Sequence, residues 1–87
     1  MRVTFQESAW NEYVYWQTED KRTLKSINNL IKDIERNGFS DGLGKPERLR
    51  SVSAFSRRID EKNRLIYRKG NDGTLEIISC KGHYDDK

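Results

Sequence analysis

The chain has 87 residues, of which 33% are hydrophobic and 36% charged, with two Trp, four Tyr and three Phe; this excludes a disordered polyelectrolyte and leaves a thin core for one small domain. No apolar run approaches the ~20 residues that cross a bilayer, and Met1-Arg2-Val3-Thr4-Phe5 lacks the pattern of a signal peptide. One cysteine and one histidine make neither a disulfide framework nor a metal-ligand cluster. The expectation is a single cytoplasmic domain over residues 1–87, with no cofactor, no metal and no membrane association.

Arg2 to Phe5 alternates polar and apolar residues, which suits a short strand. Trp10, Tyr13, Val14 and Trp16 then follow at helical spacing and read as core packing, with Ser8 as the N-cap. Thr18, followed by Glu19 and Asp20, reads as a second cap with acids in a first turn. The next helix carries Leu24, Ile27, Leu30, Ile31 and Ile34 on one stripe and stops at Asn37-Gly38. Residues 38–46, with Gly38, Gly42, Gly44 and Pro46, form a loop. Beyond it, strands are expected at Glu47–Arg50, Phe55–Asp60, Asn63–Lys69 and Leu75–Lys81, and Gly70-Asn71-Asp72-Gly73 is the hairpin turn joining the last two. Cys80 falls inside the last of these strands as a small buried residue. The order βααββββ predicts an α+β fold, with two helices packed on one face of a mainly antiparallel sheet.

The net charge of +3 is unevenly spread. Residues 1–44 hold six Lys/Arg against seven Asp/Glu, whereas residues 45–69 hold nine against three. A basic stripe of this kind suits a polyanion, although a solvated sheet face has the same appearance. Strand alternation puts Arg64, Ile66 and Arg68 on one side and Leu65 and Tyr67 on the other. Ser56 and Arg58 likewise share a side, so Arg58 and Arg64 can stand together on the sheet face that the helices leave open. Adjacent arginines without an acid between them call for an anion, and their planar forks suit phosphate oxygens.

Several segments carry a family resemblance. Tyr15-Trp16-Gln17, Asp20-Lys21-Arg22, Lys45-Pro46-Glu47-Arg48-Leu49, Ser56-Arg57-Arg58-Ile59, Asn63-Arg64-Leu65-Ile66-Tyr67 and His83-Tyr84 resemble, in order and spacing, those of the YoeB branch of the RelE toxins. The chain departs from that pattern at Val52-Ser53-Ala54-Phe55, where a Gly-aromatic-Trp is usual, and in continuing past Tyr84 with Asp85-Asp86-Lys87. The resemblance implies a RelE-like fold, ribosome-dependent cleavage of mRNA in the decoding site, and neutralisation by a YefM-like antitoxin. Operator DNA would be reached only through the antitoxin complex, and a homodimer is left open. By position it implies catalytic roles for Glu47, Arg64, His83 and Tyr84, with Arg58 in support. Lys45, Arg50 and Arg58 are the expected RNA contacts.

RNA carries its own nucleophile. A deprotonated 2′-OH attacks the adjacent phosphorus and leaves a 2′,3′-cyclic phosphate and a 5′-OH, with neither water nor metal required. The reaction needs a base, an acid and a cation for the phosphorane charge, roles that Glu47, His83 and Arg64 can fill. The bland readings are a strand-edge charge for Glu47, a surface histidine for His83 and a core aromatic for Tyr84. The alternative function is a non-catalytic basic module that binds an antitoxin and assists repression.

Overall fold

A computed structural model describes residues 1–50 and 53–82. The elements are β1 (Val3–Phe5), α1 (Glu7–Glu19), α2 (Lys21–Asn37), β2 (Glu47–Arg48), β3 (Phe55–Arg58), β4 (Arg64–Lys69) and β5 (Leu75–Ser79). The sheet order is β1-β5-β4-β3-β2; β1 runs parallel to β5 and the other pairs are antiparallel. This is the βααββββ architecture expected from the sequence. The strands are shorter than expected, and Cys80, although buried, lies one residue beyond β5.

Two helix starts differ from the sequence reading. Gln6 alone connects β1 to α1, its N–H bonded to Ile77 O at 2.9 Å and its carbonyl accepting from Trp10 N–H at 2.8 Å. The helix therefore begins at Glu7, and Ser8 lies inside it rather than capping it. Thr18 also lies inside α1, with its hydroxyl turned back to Tyr15 O. Asp20 does the capping instead: its N–H closes α1 on Trp16 O, and its carboxylate accepts from the N–H groups of Arg22 and Thr23 and from the Thr23 hydroxyl. Those bonds, led by the Thr23 hydroxyl, hold the Asp20 carboxyl below its ordinary value. The inward face of α1 is Ala9, Tyr13 and Trp16; Trp10 and Val14, expected in the core, are 49% and 42% exposed.

Ile27, Leu30 and Ile34 of α2 pack over Leu65, Tyr67, Leu75 and Ile77. A smaller cluster of Leu49, Ala54 and Ile66, joined by Ile78, lies apart from it. Ile66 pairs with Ser79 but Tyr67 with Ile77, so Ile78 is the extra residue of a bulge. The sheet face away from the helices is thus partly roofed by Leu49 and Ala54.

Arg57 is fully buried in the main core. Nε donates to Tyr67 Oη at 2.9 Å, Nη1 to Asp33 Oδ2 at 2.6 Å and Leu43 O at 2.9 Å, and Nη2 to Gly38 O at 2.8 Å and Asp41 O at 2.6 Å. All of its N–H donors are used. Tyr67 in turn donates to Phe39 O, and Asp33 accepts from Leu43 N–H, so one guanidinium organises the whole turn after α2. Gly42 takes φ 114° there, and a side chain on it would collide with the Asp33 carboxylate.

The Leu43 N–H and Arg57 hold the Asp33 carboxyl below its ordinary 3.8. Its contribution to stability is complete above that value and is lost as pH falls through the lower folded one. The melting temperature of the native chain should accordingly drop on acidification below about pH 4. Asp33→Asn should be less stable at neutral pH and show a shallower acid loss; equal acid slopes in the two proteins would remove Asp33 from this role.

Candidate active site

The open sheet face is built by register. Glu47 stands opposite Ser56, Ser56 opposite Ile66, and Arg58 opposite Arg64, so these side chains share one face. Arg64 is half-buried, and its Nη1 donates to the Ser56 hydroxyl at 3.2 Å. Ser56 is only 2% exposed, which makes its hydroxyl a fixed support for the guanidinium. Arg58 is exposed, and its N–H donates to Gly44 O at 2.7 Å. That bond fastens the end of the loop to β3 just before Lys45 and Glu47.

Lys45 is exposed and takes φ 52° immediately before Pro46. This left-handed geometry costs a residue with a Cβ roughly 1–2 kcal/mol. The clamp of Arg57 on the Leu43 carbonyl and of Gly44 on Arg58 holds it in place. Arg68 shares the face with Arg64 but is paired with Glu76, which neutralises it. Arg50 is exposed beyond β2, outside the register that joins Glu47, Ser56, Arg58 and Arg64. Two arginines directly opposite each other repel. An anion between them would remove that cost, and Glu47 lies on β2, next to the strand that carries Arg58. The geometry fits acid–base chemistry at a phosphodiester.

His83 and Tyr84 lie outside the described residues. The segment leading to them is held on both sides. Glu12 of α1 accepts from Cys80 N–H at 2.8 Å, and Trp16 Nε1 donates to Cys80 O at 3.0 Å. Gly82 accepts from Arg64 N–H at 3.0 Å and donates to Asn63 Oδ1 at 2.8 Å. Gly82, the last described residue, is thus bonded to the main chain of Arg64. Burial pushes the Cys80 thiol up to about 12, so it stays protonated and unreactive at neutral pH.

Strand alternation brought Arg58 and Arg64 together, and the family resemblance added Glu47, which the register places on the same face. Sequence reasoning missed Arg57, Glu12 and Asn63, because an isolated Arg, Glu or Asn in a sequence carries no signal of burial or pairing. Among the described residues no helix is long and apolar enough to cross a membrane.

Residues 5–84 match the family model described as YoeB-like toxin of bacterial type II toxin–antitoxin system. Toxin YoeB of Escherichia coli K12 is 48% identical over 86 residues, covering 97% of this chain and 100% of its own. A solved YoeB dimer from Staphylococcus aureus is 44% identical, with TM-score 0.89 over 97% of this chain and 98% of that one. A heterotetrameric YoeB–YefM complex from the same organism is 43% identical, with TM-score 0.88 and the same coverage. With the family model matched over residues 5–84 and relatives aligned over nearly the whole chain, the chain belongs to the YoeB-like toxins of bacterial type II toxin–antitoxin systems.

Proposed function

We propose that this toxin is an mRNA endoribonuclease that acts in the ribosomal decoding site and uses the open sheet face as its active surface. The observation that carries the reading is the register placing Glu47, Ser56, Arg58 and Arg64 on one face, with Arg64 held by a buried hydroxyl. Glu47 takes the proton of the 2′-OH as the 2′-oxygen bonds to phosphorus. Arg64, with Arg58 beside it, balances the phosphorane charge. The bond from phosphorus to the 5′-oxygen then breaks, and His83 supplies the proton that oxygen needs. Tyr84 stacks on a base, and Lys45 and Arg50 hold flanking phosphates. The internal nucleophile makes a metal unnecessary. Few groups act on the reacting atoms, so holding the message in line falls to the ribosome.

The whole chain serves as one toxin domain working in the cytoplasm. Its antitoxin is a YefM-like protein, as in the relative from Staphylococcus aureus, whose acidic segment orders as it covers Arg58 and Arg64. Operator DNA is met only through that complex, and the solved dimer of the relative supports self-association.

Mapping mRNA 5′ ends after induced expression tests the reading: new 5′-OH ends within translated codons are expected. Their absence at toxic levels of protein would favour the non-catalytic, antitoxin-binding module instead. Glu47→Gln should lower single-turnover cleavage on programmed ribosomes by about 10²–10⁴-fold. A fall of less than about threefold would exclude Glu47 as the base.

A further inference from the structure

The ladder of β5 closes with Ser79 opposite Ile66, so Cys80 lies one residue past it. There α1 takes over. Glu12 Oε1 accepts from the Cys80 N–H at 2.8 Å and from the Ser79 hydroxyl at 3.2 Å. Trp16 Nε1 donates to the Cys80 carbonyl at 3.0 Å, and the Cys80 thiol donates to the Ala9 carbonyl at 3.6 Å. Ala9, Glu12 and Trp16 are spaced three and four residues apart, so one face of the helix supplies all of these groups. Docking of α1 does not explain the carboxylate, because Ala9, Tyr13 and Trp16 already pack the helix on the core. Glu12 is half-buried and, among the described residues, pairs with no cation. Drawing a carboxylate partly out of water costs free energy that an alanine at the same place would not. What the cost secures is a fixed main chain at Cys80.

We propose that Glu12 and Trp16 are positioning residues for the acid step. By fixing both main-chain groups of Cys80, they set the point from which the segment bearing His83 and Tyr84 leaves the sheet. Neither residue touches the substrate; both act through the backbone. His83 follows Cys80 by three residues in the sequence, and β5 ends four residues before it. The root of that segment is therefore held by the α1 clasp at Cys80 and by the bonds of Gly82 to Asn63 and Arg64. A general acid must come within hydrogen-bond reach of the oxygen that leaves. A misplacement of about 1 Å costs on the order of 10²-fold, even when its origin lies far from the reacting atoms. The inference rests on the reading of His83 as the acid, and it adds two residues that act behind it.

The test is single-turnover cleavage on programmed ribosomes, at a temperature where circular dichroism shows each variant folded. Glu12→Ala should lower the maximal rate by about 10–100-fold and move the half-saturating ribosome concentration by less than about twofold. Glu12→Gln keeps an oxygen for the Cys80 N–H and should recover to within about threefold of the native rate. Trp16→Phe keeps a buried ring but loses the donor, and should fall as Glu12→Ala does. A double-mutant cycle separates positioning from stability. In a His83→Gln background, where the acid is already gone, Glu12→Ala should cost less than about twofold more. A message with sulfur in place of the scissile 5′-oxygen asks the same question chemically, because a thiolate leaves without a proton far more readily than an alkoxide. On that message the Glu12→Ala loss should shrink to less than about threefold. A full Glu12→Ala loss in the His83→Gln background or on the sulfur-bridged message would overturn the proposal and leave the acid reading standing. So would native rates in both Glu12→Ala and Trp16→Phe. Native cleavage by His83→Gln would instead remove the acid reading, and the positioning role with it.

Discussion

Replacing Arg64 by alanine should slow single-turnover cleavage by about 10²–10³-fold, the usual cost of losing one donor to a developing negative charge. Among the described residues its side chain makes one hydrogen bond, to the Ser56 hydroxyl, and it lies outside the main core. The melting temperature should therefore move by no more than about 5 °C. The Arg64 N–H that holds Gly82 belongs to the main chain and survives the substitution. Arg64→Lys should be intermediate, because an ammonium keeps the charge but loses the planar fork. Ser56→Ala gives a second measure of the same geometry: the guanidinium stays but its support goes, so cleavage should fall by a smaller factor with little change in RNA affinity. If Arg64→Ala kept native toxicity at equal protein level, the active face would have to be sought elsewhere.

The parts legible in the sequence were those written as periodicity. Ile27, Leu30 and Ile34 announced the buried face of α2, and strand alternation placed Arg58 and Arg64 on one side before any register was known. The register then made them direct partners. The first helix was harder to read. Four large residues at Trp10, Tyr13, Val14 and Trp16 suggested one inward face, but small Ala9 is fully buried there while Trp10 is half exposed. Side-chain size misled because α1 sits close to the sheet at Ala9. The caps were misread because Ser, Thr and Asp are all good caps, and only chain geometry decides which one the helix reaches. The supports of the site were not legible. Arg57 and Arg58 are adjacent in sequence and identical in type, yet one is fully buried and the other exposed, since neighbouring strand residues point to opposite faces. Alternation did predict opposite sides for them. It did not predict that a charged residue would occupy the helix-facing side, because that requires Asp33 and three loop carbonyls to arrive there together.

Arg57→Met should accordingly be the most destabilising single change, lowering the melting temperature of the free chain by about 10 °C or more. Methionine fills much of the volume but donates no hydrogen bond. The Asp33 carboxylate loses its ion pair in a buried place, and the partly buried carbonyls of Gly38, Asp41 and Leu43 lose their donor. Tyr67 keeps its bond to Phe39 O, so the aromatic group of Phe39, Phe55 and Tyr67 has a reason to survive. The damage should centre on residues 38–46. Hydrogen exchange should quicken first at the Leu43 amide, which bonds Asp33, and at the Arg58 amide, which bonds Gly44 O. A double change, Arg57→Met with Asp33→Leu, separates the contributions. Removing both charges abolishes the cost of an unpaired buried carboxylate, so the double variant should recover part of the lost melting temperature. It should not recover the slow exchange at Arg58, because the loop carbonyls still lack their donor. If the double variant melted no higher than the single one, the ion pair would contribute little and the guanidinium would matter chiefly as the ligand of the loop. In that case Arg57→Lys, which keeps a charge but offers no fork to the three carbonyls, should melt close to Arg57→Met.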